Sequence, residues 1–475
     1  MSLKNGRELV IVIAMVAGLA GCRTAQAPLR SDAMWIPPKW EQISKTSDAV
    51  WADIRERRVN FREPLALIEL IDIALKYNPS TKKAWEDARV QETKRKQAEA
   101  AWYPEITASA DISAQRQNAD HQIDDTNNYG YGPELKLTYM VLDLGGRMAD
   151  IKEATYSVLS ANFTFNRSMQ DLILDVEEAY YGLYSAAAQV AAAEDDAEDA
   201  GTALTAARQK FDVGLVAQLD VYQAESTYDD ALYNLEDAKG KFLDAKGTLA
   251  ETIGFPADTD LSIVPPAGAL PTDISKEDVR ALIEAALIQR PDIAAVRADL
   301  VAKEAAIVSA NSSLWPTVNL EADSDVRWYE YYGYDKRDGN YYGYSGFVNI
   351  EWDFFDGFKK AQKKRQAENL RDKAREALIQ AELEASGDVW TKYHNYNTSV
   401  KKLKYSEAFL KSSEEAYRLA LDGYEVGLKS ILDLLDAQSK LSDARSKHIQ
   451  SKKDLFFSIA ELAHATGTIG MEGGN

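Results

Sequence analysis

The chain has 475 residues but only one cysteine, Cys22, and only four histidines. A single cysteine excludes disulfide frameworks, CxxC redox motifs and cysteine-based zinc sites. The histidines lie far apart and none has the spacing of a helical zinc-protease motif, so metal centres and nucleophile-base pairs have few candidate residues. We therefore expect no catalytic residues, no bound metal and no cofactor, and an enzyme is the weakest interpretation.

Positive charge is also scarce, since 55 Lys and Arg residues face 75 Asp and Glu residues and leave a net charge of −20. Nonspecific nucleic-acid affinity comes from basic side chains that neutralise phosphates, so nucleic acid is not an expected partner. Beyond the amino terminus, no run of about 18 consecutive apolar residues offers a transmembrane helix. If the chain crosses a membrane, it must do so as β-structure.

The amino terminus has the features of an export signal. Lys4 and Arg7 precede an apolar run over 9–20, and small residues follow. This order predicts a cleavable signal peptide over 1–21. The segment Leu19-Ala20-Gly21-Cys22 resembles a bacterial lipoprotein box, which implies acylation of Cys22 and a lipid anchor followed by an extended arm over 22–64. An ordinary signal peptide with an incidental cysteine is the alternative.

The rest of the chain contains an internal repeat. Asn78-Pro79 returns 212 positions later as Arg290-Pro291, and Val213-Gly214-Leu215 returns 213 positions later as Val426-Gly427-Leu428. One additional residue in the second copy accounts for the change in offset. We predict one repeat over 65–254 and a second over 278–467, with a linker over 255–277 and a tail over 468–475.

Each copy contains two stretches in which apolar and polar residues alternate. A period of two predicts a strand with one apolar and one polar face, and four such strands of about ten residues suit a bilayer crossing. The intervening segments, 115–131 and 327–345, predict polar loops. The second is rich in Tyr and fits an aromatic girdle at a membrane interface, or a loop that packs on itself. The predicted strands cover 105–114, 134–141, 317–323 and 348–353.

Long helices follow each strand pair. A spacing of four and three residues runs without interruption from Leu172 to Phe211, and a sustained heptad predicts coiled-coil packing. A helix over 147–211 would extend for roughly 97 Å. A plain coiled coil explains the helices alone, but it leaves the four two-faced strands unexplained. The predicted class is mainly α with a membrane β-barrel, which four strands can close only by association of several chains.

The strand-to-helix junctions Leu142–Arg147 and Phe355–Gly357, together with the paired segments 211–221 and 423–437, resemble the TolC-like outer membrane efflux protein family, in its lipoprotein branch. The resemblance covers about 65–467. It implies a homotrimer with a 12-stranded barrel in the outer membrane and an α-helical tunnel through the periplasm.

The resemblance also implies roles for particular residues. The two Val-Gly-Leu turns, with glycines at 214 and 427 that suit a helix reversal, correspond to tips that meet a periplasmic adaptor. Tyr424 and Lys429 of the second copy and Asp220 of the first correspond to the network that closes the tunnel. Asp433 and Asp436 correspond to the acidic constriction, although solvated carboxylates near a helix start are the simpler alternative.

The expected function is a passive, lipid-anchored exit duct in the outer membrane. It would receive substrate from an inner-membrane pump through a periplasmic adaptor, and the sequence contains no ATP-binding motif of its own. An exit duct for type I protein secretion would use the same architecture. A pore-less, surface-anchored coiled-coil protein is the alternative from another class.

Overall fold

The computed structural model describes residues 63–117, 126–266, 278–332 and 339–470, with a few positions between 52 and 61. The chain divides into two compact units, Met1–Asn60 and Phe61–Asn475, and the second contains the sheet and the long helices. Cys22 and the export signal lie outside the described residues, so lipidation stays a prediction.

The described part is mainly helical, which confirms the predicted fold class at that level. Helices break at Pro79 and Pro291, because proline is tolerated in a first helical turn but disrupts a helix interior. Two helices of 67 residues dominate, and each is about 100 Å long at 1.5 Å per residue. The helices are α1 Leu67–Tyr77, α2 Pro79–Glu99, α3 Gly146–Asp212, α4 Gln218–Thr252, α5 Val279–Gln289, α6 Pro291–Ser312, α7 Lys359–Glu425 and α8 Ile431–Thr466.

The heptad pattern on α3 marks its packed face. Leu172, Val176 and Leu183 are buried, and α3 packs against α4, α6 and α8. Buried alanines, including Ala200 and Ala207, bring neighbouring helices close together. Phe211, the last residue of the pattern, is exposed because it lies where α3 ends.

Four strands form one antiparallel sheet in the order β1-β2-β3-β4. The pairing of β2 with β3 joins the two halves of the chain. Within the described residues, β1 and β4 each have a neighbour on one side only, so both edges of the sheet carry unpaired backbone groups. The strands are β1 Glu105–Gln117, β2 Thr126–Leu142, β3 Thr317–Tyr332 and β4 Gly339–Glu351.

The structure corrects the predicted polar loops. Every described residue of 115–131 and 327–345 belongs to a strand. Glycine, asparagine and tyrosine there suggested turns, but backbone pairing with the next strand outweighs local propensity. Tyr131 lies opposite Trp328 in the register, and their rings stack with centroids 5.6 Å apart. The strands are therefore longer than the sequence indicated.

The two faces of the sheet differ in chemistry. The alternation seen in each strand continues across the register, so Leu137 lies between Ile106 and Ala322 on one face. This face is exposed as well as apolar: Ile112 and Ile350 are 87% and 68% exposed. The opposite face is charged. Lys136 pairs with Glu321 at 2.9 Å, and Arg327 lies near Asp111, Glu134 and Asp325.

No helix in the described ranges combines the length and apolar character needed to cross a membrane.

A polar network ties α3 to α7 and α8. Arg445 forms ion pairs with Asp196 and Asp199, and the Tyr417 hydroxyl donates to the Asp199 carbonyl at 3.3 Å. Burial raises the pKa of Asp199, although the nearby Arg445 opposes that shift. The network joins the two halves of the chain through their long helices.

Glu177 on α3 allows a test of how burial affects a carboxyl group in the packed helices. Burial raises the pKa of its carboxyl from 4.5 to about 7. Because the folded chain holds this proton more tightly than the unfolded chain, stability falls as the pH rises from about 4.5 to about 7. We expect Glu177→Gln to add about 1–3 kcal/mol of stability at pH 8 and little at pH 4. Thermal unfolding at both pH values measures this difference.

The exposed neighbour Glu178 supplies the matched control. Glu178→Gln is expected to leave the unfolding midpoint unchanged at both pH values, because its carboxylate is already hydrated. Equal effects of the two substitutions at pH 8 would show that burial of Glu177 does not govern the pH dependence.

Candidate functional site

The two Val-Gly-Leu segments form the turns between α3 and α4 and between α7 and α8. Gly214 and Gly427 both have φ of +79°, a conformation that favours glycine. The leucine that follows each glycine donates its amide to a carbonyl of the preceding helix at 2.8 Å. Leu215 donates to the Lys210 carbonyl, and Leu428 donates to the Gly423 carbonyl. The helix reversal predicted from sequence is thus present in both halves.

The turns expose apolar side chains. Val213, Leu215, Val426 and Leu428 are between 69% and 82% exposed. Single exposed apolar residues are common, but two equivalent turns that both present valine and leucine are suited to contact with another protein.

The helices that follow the turns begin differently. Ala217 offers no side-chain cap to α4. Ser430 caps α8 and forms a capping box with Asp433: the Asp433 carboxylate accepts from the Ser430 amide at 3.0 Å and from its hydroxyl at 2.8 Å. These hydrogen bonds, with a smaller effect of the Lys429 charge, lower the pKa of Asp433. Asp433 is therefore ionised and fixed in position.

Asp436 lies one turn further along α8. Its carboxylate accepts from Lys440 at 2.6 Å, and both side chains are more than 60% exposed. A spacing of three residues places Asp433 and Asp436 on one face of the helix. Within one chain each carboxylate already has a partner, so both can be explained by local helix chemistry.

Tyr424 is buried in the core near the turns. It packs with Leu434, Ala207 and Ile431, and its hydroxyl has no hydrogen-bond partner among the described residues. The Lys210 ammonium lies 4.7 Å from its ring centroid. Burial raises the pKa of Tyr424, and the negative charge of Asp220 adds to that effect.

Asp220 and Lys429 both lie near Tyr424, but they do not pair with each other. Asp220 is half-buried in the first turn of α4. Lys429 is exposed, with its aliphatic chain against Gly423. Among the described residues of one chain, no ion pair joins Lys429 to Asp220. The predicted closing network is thus only partly assembled within a single chain.

Sequence reasoning missed Lys210 and the Arg445 network. Nothing in the sequence indicated that Lys210 of the first half would lie over Tyr424 of the second, since they are 214 positions apart. The acidic pair Asp196 and Asp199 was visible only as part of an acidic run. No group of three or more His, Cys, Asp or Glu residues in the described part of the chain could hold a metal ion.

The chain is similar in sequence to known outer membrane proteins. The family model described as "Outer membrane efflux protein" matches the chain twice, over 70–255 and 282–468. Protein CyaE of Bordetella pertussis is 26% identical over 414 residues, covering 86% of this chain and 85% of that protein. The toluene efflux pump outer membrane protein TtgF of Pseudomonas putida is 26% identical over 96% of this chain and 95% of its own.

The fold matches solved channel structures. The Campylobacter jejuni CmeC outer membrane channel superposes with a TM-score of 0.74 over 85% of each chain, at 19% identity. At this identity the likeness concerns the fold alone.

Proposed function

The chain belongs to the outer membrane efflux protein family, and on that premise we propose that it is the exit duct of a tripartite efflux system. It passively conducts substrates that an inner-membrane pump delivers through a periplasmic adaptor. The relative TtgF, matched over almost its whole length, is named as the outer membrane protein of an efflux pump, and this supports a role in efflux.

The main support for the proposal is the sheet, which has one apolar and one charged face. An exposed apolar face suits contact with lipid, whereas the charged face opposite suits a water-filled lumen. Unpaired edges at β1 and β4 cost several kcal/mol per group in a bilayer unless another strand pairs with them. Three chains would close these edges as a 12-stranded barrel, with the helices continuing as a tunnel and the turns facing the adaptor.

The proposed location is the outer membrane, with the tunnel in the periplasm and a lipid anchor on Cys22. In a trimer, Asp433 and Asp436 would place six carboxylates around one aperture. Such a ring attracts cations and repels anions. Tyr424, Asp220 and Lys429 would contribute to the contacts that hold the aperture closed.

Single-channel conductance in planar bilayers tests the acidic ring. Asp433→Asn/Asp436→Asn removes both charges, while the amide oxygen at 433 can still accept from Ser430. We expect a cation-selective wild-type conductance whose cation-to-anion permeability ratio falls about tenfold in the variant. The reason is that a carboxylate 4 Å from a permeating ion contributes about 1 kcal/mol to their interaction in water.

Asp443→Ala is the matched control, since Asp443 pairs with Lys447 at 2.6 Å as Asp436 pairs with Lys440, but two turns further along α8. It is expected to leave selectivity unchanged. An equal loss in the control would contradict the assignment of the ring. The absence of any conductance from correctly assembled protein, including a Tyr424→Phe variant, would contradict the channel itself.

A further inference from the structure

A cluster of exposed aromatic side chains and cations follows the last strand of the sheet. Trp352, Phe354, Phe355 and Phe358 lie between β4 and α7 and are 56% to 84% exposed. The first turns of α7 then carry Lys359, Lys363, Lys364 and Arg365. We name these eight residues the junction patch.

The charge of the junction patch is unusual for this chain. Residues 359–375 include eight basic and two acidic side chains, although the whole chain carries −20. Cations at a helix start also oppose the helix dipole. Lys360 pairs with Asp353 at 3.3 Å, but the four patch cations have no ion-pair partner in the part of the chain that the structure describes. Their charges are therefore available to an anion from outside the chain.

The helix packed against this segment does not supply one. Helix α6 runs antiparallel to α7, as shown by the Arg297–Glu382 pair at 2.7 Å and by the Trp352 indole, which donates to the Leu314 carbonyl at 3.1 Å. This register places residues 305–316 beside the start of α7. No residue of 305–316 is charged. The patch cations are thus without an acidic counterpart on α6.

The equivalent junction of the first half has no such patch. Residues 146–153 contain Arg147 and Lys152 but also Asp150 and Glu153, so their charges balance. Arg147 is buried, with its guanidinium 4.3 Å from the Trp102 ring and donating to the Ala101 and Val141 carbonyls. The excess charge is a property of one junction and not of the repeated architecture.

We propose that the junction patch binds the phosphate groups of anionic phospholipids at the membrane surface on the helical side of the sheet. The proposal rests on the proposed function, in which the strands cross the membrane. From Lys359 to Arg365 the helix rises by roughly 9 Å, and long basic side chains can reach back toward an interface about 5–7 Å thick. The aromatic residues occupy the boundary that such rings prefer.

Distance restricts the binding to the first turns of α7. Lys373 and Arg375 lie roughly 21 Å or more beyond Lys359 along the helix, which exceeds the screening length of about 8 Å at physiological salt. Lys401, Lys402 and Lys404 form a second exposed basic group about 57 Å beyond Lys363 on the same helix. This second group provides a control of equal charge.

Quenching of Trp352 by brominated lipids tests the proposal with the full protein in phosphatidylcholine vesicles. Subtracting the signal of a Trp352→Phe variant isolates Trp352. We expect brominated phosphatidylglycerol to quench Trp352 more strongly than brominated phosphatidylcholine. The affinity for the anionic lipid should be roughly tenfold higher than that for phosphatidylcholine, and this ratio should decline as the salt concentration is raised.

Charge variants then show which cations cause the preference for the anionic lipid. Lys363→Gln/Lys364→Gln/Arg365→Gln is expected to abolish it, and Lys401→Gln/Lys402→Gln/Lys404→Gln to preserve it. Equal quenching of wild-type Trp352 by the two lipids overturns the phospholipid proposal while leaving the junction at the membrane. Absence of quenching by either lipid removes the junction from the membrane and so contradicts the membrane placement in the proposed function. A preference retained in the first variant also overturns the proposal.

Discussion

Replacement of Arg290 by methionine is expected to lower the free energy of unfolding by about 2–4 kcal/mol, because the change leaves two carboxylates without their cation. The buried guanidinium of Arg290 contacts Asp292 at 2.7 Å and Asp388 of α7 at 2.9 Å. It also donates to the carbonyl of Ala465, at the end of α8, at 3.1 Å. One side chain thus links the α5–α6 break to α7 and α8.

The first half of the chain contains the counterpart of this contact. Asn78, which occupies the position equivalent to Arg290, donates to the Thr252 carbonyl at 2.7 Å, and Thr252 is equivalent to Ala465. Arg290→Asn can restore the bond to the carbonyl but not the pairing with Asp388. We expect it to recover only a minor part of the lost stability, because a neutral hydrogen bond contributes about 1 kcal/mol.

The loss of stability in Arg290→Met should also depend on pH. Burial tends to raise the pKa of Asp292, but hydrogen bonds and the charge of Arg290 outweigh that effect and lower it. The pairing of Arg290 with Asp292 therefore stabilises the fold at neutral pH, and this stabilisation disappears as acid protonates the carboxylate. Thermal unfolding followed by circular dichroism measures the difference between wild type and variant.

Arg297→Met is the control, because Arg297 also forms a pair between α6 and α7 but is 44% exposed. Exposed pairs contribute about 0–1 kcal/mol, so little change is expected. If Arg290→Met and Arg297→Met shift the unfolding midpoint equally, the buried pairing has no special role.

Replacement of Tyr424 by phenylalanine is expected to raise channel conductance without loss of stability. The hydroxyl is buried and has no hydrogen-bond partner in the described part of one chain, so its removal leaves no group unsatisfied there. Under the proposed function, the hydroxyl of Tyr424 belongs to the contacts that hold the tunnel closed. Its loss would weaken closure of the tunnel while the packing of the ring is retained.

Tyr424→Ala separates packing from closure. Loss of the ring from the core beside Leu434 should cost about 3–5 kcal/mol. The alanine variant should therefore unfold at lower temperature, whereas the phenylalanine variant should not. Planar-bilayer recording and thermal unfolding of the same preparations measure both quantities.

Tyr417 is the control, because it lies two turns earlier on α7 and its hydroxyl does have a partner, the Asp199 carbonyl. Tyr417→Phe should cost about 1 kcal/mol and leave conductance unchanged. Unchanged conductance in Tyr424→Phe, from protein that does conduct, would exclude its hydroxyl from the closing contacts.

Much of the fold could be predicted from periodicity. The heptad from Leu172 to Phe211 indicated a helix over 147–211, and the structure has Gly146–Asp212. Alternation located all four strands but not their ends. The strand ends depend on pairing with a neighbour, as at Tyr131 opposite Trp328, and propensity alone does not contain that information.

The candidate site was predictable in position but not in contacts. The Val-Gly-Leu segments indicated the turns because a helix reversal of this kind favours glycine in a positive-φ conformation, and Gly214 and Gly427 have it. The capping role of Asp433 follows from its spacing to Ser430 and could have been recognised. The position of Lys210 over Tyr424 could not, since it depends on how α3 and α7 pack.

The sequence by itself determined the repeated order of strands and long helices, the locations of the turns and the two-faced strands. These features follow from neighbouring residues, whose spacing sets which side chains share a face. The tertiary structure alone decided that Arg290 contacts residues 98 and 175 positions away, that the Tyr424 hydroxyl has no partner among the described residues, and that cations collect beyond β4 without acids beside them on α6. Such contacts arise only when distant segments pack, and local spacing does not specify them.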